Sequence, residues 1–172
     1  MTDSAANNPA EITIETPLPA DLQTLAEQLG RQPRGVLGIA ARHPDGAPAV
    51  VATAPQLPDG EPFPTFLYLT HPDLVLQASR MEAAHDMQRY NEMLVADEAL
   101  AAAYREAHRT YLAQRERAAI GNQISVPDAI ADVSAGGMPS RVKCLHALLA
   151  HSLAAGEGVN PIGDMVRARI EW

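Results

Sequence analysis

Every strand-like run in this chain falls between residues 35 and 70, and beyond Thr70 the apolar periodicity is that of helices. That segregation predicts an α+β fold, a small antiparallel sheet packed against a mostly helical C-terminal half. The first two runs, 35–41 (GVLGIAA) and 49–53 (AVVAT), flank HPDGAP, whose Asp45-Gly46 pair is a strong hairpin turn signal. A link with four prolines and a second Asp-Gly pair precedes the third run, 65–70 (TFLYLT). A three-stranded meander is the simplest arrangement. Gly35 and Gly38 weaken the first run as a strand, and mark a bulge or a close approach of another backbone.

The helical signals follow the same logic. Leu22, Leu25, Ala26 and Leu29 recur at helical spacing before the stop at Gly30. Thr70-His71-Pro72-Asp73 reads as a helix start, and Leu74, Ala78 and Met81 form the stripe behind it. The stripe drifts near 84–86, which predicts a break. A further helix spans about 97–117, with Leu100, Tyr104, Ala107 and Tyr111 inward. Residues 119–138 lose periodicity and read as a disordered link or a lid. A helix over 139–156 and a short one after Pro161 complete a single domain of about three strands and four to six helices over 20–172. Residues 1–19, polar and bearing prolines, read as a mobile tail.

Charge and cysteine usage limit the function classes. With 13 Lys and Arg against 21 Asp and Glu, the net charge is -8, and no basic run is present to neutralise phosphates, so nucleic acid is not an expected partner. The single cysteine excludes an internal disulfide and fits a reducing compartment. The first residues lack the basic and apolar regions of a signal peptide, and no apolar run approaches the ~18 residues of a membrane helix. The expectation is a cytoplasmic protein without membrane insertion.

Chemistry-bearing residues concentrate in 134–164, SAGGMPSRVKCLHALLAHSLAAGEGVNPIGD. On a helical wheel, Val142, Leu145, Leu149 and Leu153 form the core stripe, Arg141, Cys144 and His151 line one flank, and His146 lies on the other. Cys144 and His151 stand about 10.5 Å apart along such an axis, too far to share one ion unaided. Two identical His-Pro-Asp triplets offer His43 and His71. The expected metal set is therefore His43, His71 and Cys144, with His151 as a further candidate and zinc as the ion. A second expectation is an anion site, where Gly136-Gly137 lead into a helix N-terminus beside Arg141 and Lys143. Nucleophilic use of Cys144 would need His43 or His71 as its base, since the wheel sets His146 on the wrong flank and His151 far along the axis. His85 and His108 read as histidines packed at the core edge.

The segment RQPRGVLGIAARHPDGAPAVVATAPQLPDGEPFPTFLYLTHP, then AAAYREAHRTYLAQR and the 134–164 run, resembles the family known as domain of unknown function five hundred and one. The resemblance covers nearly the whole chain beyond the first twenty residues. It implies an actinobacterial protein of no established activity, encoded near a septum-formation-initiator protein and an exopolyphosphatase. It also implies that Cys often stands at the position of His43, and Cys or His at that of His71, an exchange a zinc site tolerates. Its matched positions include Arg34, Gly35, Arg141, Lys143, Cys144, His146, His151, Asn160 and Asp164, none with an assigned role. The expected function is binding of a metal ion or a small anionic ligand in a cleft between the His-Pro-Asp loops and the Cys/His helix, with Arg34, Asn160 and Asp164 among the ligand-binding candidates. The alternatives are an interaction protein with a cell-division partner in septum formation, and a metal-assisted hydrolase of a phosphorylated substrate.

Overall fold

The computed structural model describes residues 10–172. Helix α1 (Pro19–Leu29) leads into strands β1 (Val36–Arg42), β2 (Pro48–Thr53) and β3 (Leu67–Leu69). Five helices follow: α2 (Pro72–Ala83), α3 (Asp86–Ala96), α4 (Glu98–Gly121), α5 (Leu145–Ala155) and α6 (Pro161–Arg167), with a 3-10 turn at Asp128–Ile130. This is the α+β arrangement the sequence predicts, an antiparallel meander in the order β1-β2-β3 beside a helical half. The predicted break is real: His85 adopts a left-handed backbone, φ 64°, between α2 and α3.

Strand β2 is buried along its whole length because both faces of the sheet are covered. Side chains alternate across a strand. Val51 joins Ile39 and Leu25 of α1 in a small cluster, while Val50 and Ala52 join Leu67, Leu69 and the α5 residues Leu145, Leu148 and Leu149 in the main core. Helix α4 is fixed to the sheet by Tyr111, whose hydroxyl oxygen accepts from the backbone N–H of Phe66 and Leu67.

Three segments depart from the sequence reading. The tail expected over 1–19 falls outside the described residues for 1–9, but from Ala10 onward the chain is docked. Glu15 and Ile39 exchange backbone hydrogen bonds of 2.8 and 2.9 Å. This crossing explains Gly38, where a Cβ would stand 2.4 Å from the Glu15 carbonyl oxygen, and the ladder register shifts between Val36 and Gly38.

The aperiodic stretch after α4 is tied down rather than lid-like. Arg115, 1% exposed, donates to the carbonyls of Pro64, Ile130, Ala131 and Val133. One buried guanidinium thereby organises a segment that has no pattern of its own.

The third departure concerns the C-terminal helix, which starts at Leu145 rather than Pro139. The backbone groups that would begin it earlier are already engaged. Val142 donates to and accepts from the Asn91 side chain, at 2.8 and 3.0 Å. Lys143 and Cys144 donate to the Gly136 carbonyl. Gly136 and Gly137 both have positive φ, and a Cβ on either would collide with Leu148 or with the Arg141 carbonyl. No helix among the described residues is long and apolar enough to cross a membrane.

Candidate functional site

The shortened α5 relocates Cys144. It is no longer on a helix flank but is the residue preceding the first turn, with extended backbone. His146 is two residues on, so the wheel that separated the two does not apply. Cys144 Sγ lies 3.9 Å from His146 Nδ1. The third group comes from α2, where Val75, Ser79 and Glu82 follow one another at helical spacing on one face. Glu82 Oε1 lies 3.0 Å from His146 Nδ1 and accepts the Leu145 N–H at 2.8 Å. The other ring nitrogen of His146, Nε2, sits 3.2 Å from the Val75 carbonyl and 3.0 Å from Ser79 Oγ.

Two properties follow from this geometry. With a carbonyl oxygen at one nitrogen and a carboxylate at the other, the ring is placed as a doubly protonated imidazolium. Hydrogen bonding toward Cys144, with the Glu82 carboxylate beside it, raises the His146 pKa from 6.5 to about 9 against the opposing effect of burial. Equally, the Val75 carbonyl fixes a proton on Nε2 and leaves Nδ1 as the atom that gives up its proton to a metal. Donors on a tetrahedral zinc with bonds of ~2.0–2.3 Å stand roughly 3.3–3.6 Å apart. The donor atoms of Glu82, Cys144 and His146 lie within 4.8 Å of one another.

Cys144 and His146 also line a cleft of about 500 Å³ between α1, β3 and the start of α5. Leu29, Leu67, Leu69, Val75, Ala135 and Ala147 contribute apolar wall, and Gln28, Thr65, Tyr68 and Thr70 polar groups.

The two His-Pro-Asp histidines do converge, but without Cys144. His43 and His71 stack with ring centroids 3.9 Å apart and planes 17° from parallel. Asp45 bridges them, 3.1 Å from His43 Nδ1 and 2.9 Å from His71 Nε2. The His71 hydrogen bond leads the effects that lower the Asp45 pKa from 3.8 to about 2. Parallel rings at this spacing do not aim their lone pairs at one point, so a shared ion requires one ring to turn. His71 Nδ1 is buried and has no partner among the described residues, so nothing orients this ring from behind. The cluster fastens the β1–β2 turn to the start of α2. His43, His71 and Cys144 therefore do not form one set of ligands.

The remaining candidates disperse. His151 is fully buried: Asn160 donates to its Nδ1, its Nε2 donates to Gln114, and Tyr111 meets it edge-on. Burial lowers its pKa to about 3, so it is a neutral core group and not a ligand. Asn160 caps α6 through Gly163, and Asp164 accepts from Ser152 and Gly158. Arg34 pairs with Asp59. The anion site expected at Gly136-Gly137 with Arg141 and Lys143 lacks its helix N-terminus, because α5 begins eight residues after Gly137 (145 − 137) and both basic side chains are exposed. At the true N-terminus, Glu82 already supplies the negative charge.

His146 and Glu82 are the site residues that sequence reading missed. The available signals were the Cys-Leu-His triplet and a carboxylate seven residues beyond Val75 on one helix face. The family model for Protein of unknown function (DUF501) matches residues 39–168, and the chain belongs to that family. No curated protein and no solved structure matches it.

Proposed function

We propose that this member of the family binds a divalent transition metal, zinc by its donor set, through Glu82, Cys144 and His146, and holds a small ligand in the cleft beside it. The observation that carries this reading is the placement of a thiol, an imidazole and a carboxylate within coordination distance, with His146 Nε2 committed to the Val75 carbonyl. Mixed sulfur, nitrogen and oxygen donors suit zinc, and three protein ligands leave the fourth position for a ligand or water. The adjoining 500 Å³ falls within the range of small-molecule sites. The His43–Asp45–His71 cluster supports the same chemistry less well, for the stacking and orientation reasons given above.

The test is elemental analysis of protein purified without an affinity tag. One zinc per chain is expected, lost in Cys144→Ser and His146→Ala and retained in His71→Ala. Protein that arrives metal-free and also fails to take up zinc from a buffered solution overturns the reading.

A further inference from the structure

We infer that α1 is a detachable cover. It docks on the outer face of the sheet and leaves it as one unit, with Arg42 as the latch, and so opens one wall of the cleft beside Glu82, Cys144 and His146. The inference stands on how α1 is held and does not depend on a metal.

Asp21, Leu25 and Gln28 meet the rest of the fold from one stripe of α1, at helical spacing. Only Leu25 is apolar, and it is buried with Ile39 and Val51 in a cluster apart from the main core. Helix α5, by contrast, brings Leu145, Leu148, Leu149 and Leu153 into that core. Packing of an apolar face is the main hold on most helices, so α1 leans on its polar contacts instead. The chief one is Arg42 of β1, which grips both carboxylate oxygens of Asp21 at 2.9 and 3.0 Å. The same guanidinium donates to Glu15 at 2.9 Å and to the Gly46 carbonyl at 3.1 Å. Gln28 both holds and opposes docking. Its Nε2 donates to the Pro48 carbonyl at 3.0 Å, while its oxygen is buried with no partner among the described residues. That sealed acceptor is a cost of docking which undocking removes, because water then reaches it.

The chain on either side permits the movement. Before α1, Ile12 and Ile14 pack against the main core and Glu15 is bridged to Ile39, so the anchor there does not involve the helix. After it, Gly30 and Gly35 have φ of 68° and 63°, and a Cβ on Gly30 would meet nothing within 4 Å. A few such positions suffice to absorb the rotation of a hinge. Gln28 and Leu29 line the cleft. Leu29 also lines a basin of about 380 Å³ on the outer face of the sheet, together with Val51 and Tyr68. Departure of α1 removes a wall shared by both cavities.

Amide hydrogen exchange of the full chain, followed residue by residue by NMR, tests this. Undocking as a unit gives the amides of 23–29 one protection factor, common to within about threefold and at least ~100-fold below that of 149–153. Arg42→Met keeps the aliphatic stem and removes the latch. It should lower protection throughout 23–29 by at least ~10-fold and leave 149–153 unchanged. If that variant fails to fold by circular dichroism, Asp21→Asn takes its place, since it keeps an acceptor for the Leu18 N–H. Protection that climbs from the ends of α1 to its middle is fraying, and overturns the inference. So does protection equal to that of α5, a variant without effect on α1, or a variant that loosens both helices alike.

Discussion

His146 and His71 each sit beside a carboxylate, yet the two rings are held in opposite ways. His146 is gripped from behind, Nε2 against the Val75 carbonyl, so that Nδ1 faces Glu82 and Cys144 at the edge of a cleft. His71 is gripped from the front. Its Nε2 bonds to Asp45, its face is covered by His43, and its Nδ1 is buried without a partner among the described residues. The first arrangement turns one ring nitrogen toward a carboxylate and a thiol together. The second spends its donor on holding a turn. Proximity of ligand-type residues is common to both, so the discriminating feature is what holds the far side of each ring.

The strongest way to break this contrast is to compare metal affinities by chelator competition. Replacing Cys144 or His146 by Ala should weaken zinc binding by at least about 100-fold, since outer-sphere partners alone typically change it 10–100-fold. Glu82→Gln, which keeps the size and removes the charge, should weaken it by roughly 10-fold or more. His43→Ala and His71→Ala should each change it less than about threefold. A large loss in the second pair would reverse the assignment of the two clusters.

Acid–base behaviour separates them next. His146 has its pKa raised from 6.5 to about 9, so in metal-free protein its stabilising effect is complete below about pH 6.5 and disappears as pH climbs through about 9. Its side chain is 26% exposed, so after solvent screening the effect is on the order of 2 kcal/mol. Asp45 has its pKa lowered from 3.8 to about 2, so its contribution is present above about pH 4 and is lost as pH falls through about 2. Thermal midpoints of metal-free protein should therefore fall on the alkaline side through His146 and on the acid side through Asp45. Glu82→Gln should make the alkaline limb shallower, Cys144→Ala should do so more strongly, and both should leave the acid limb unchanged. Saturating zinc should flatten the alkaline limb, because a metal in place of the Nδ1 proton leaves nothing to titrate there.

The sheet, the helix at 19–29 and the break at His85 were legible because each rests on neighbours in sequence: alternation, a stop at Gly30, a drifting stripe. The site was not legible, because one distant side chain moves a helix start. Asn91 occupies the Val142 backbone from 51 residues away, and Gly136 occupies Lys143 and Cys144, so the helix begins six residues later than its pattern suggests (145 − 139). That displacement brings Cys144 beside His146 and turns an apparently wrong flank into a cluster. Arg115 teaches the same lesson. Nothing local in 119–138 announces order, and the order comes from carbonyls gathered on a buried guanidinium of the preceding helix. The His-Pro-Asp pair was half legible: the triplets do meet, but their partner is their own Asp45 rather than the cysteine.

The smallest effect is also the sharpest discriminator for the stacked pair. His71→Phe keeps a flat ring against His43 and removes a buried ring nitrogen that has no partner among the described residues. It also removes the hydrogen bond to Asp45, whose side chain is 52% exposed and readily solvated instead. Replacing an unsatisfied buried polar group by an apolar one of similar shape is close to neutral. The thermal midpoint should therefore stay within about 3 °C of the native value at neutral pH. Asp45 loses the hydrogen bond that lowers its pKa most, so its carboxyl should titrate nearer 3.8 and the acid limb should become shallower. Zinc affinity should be unchanged, because this ring belongs to a separate group of donors from Glu82, Cys144 and His146. If His71→Phe instead costs the protein its zinc, the ring that looks like a fastening is a ligand, and the division between the two clusters fails.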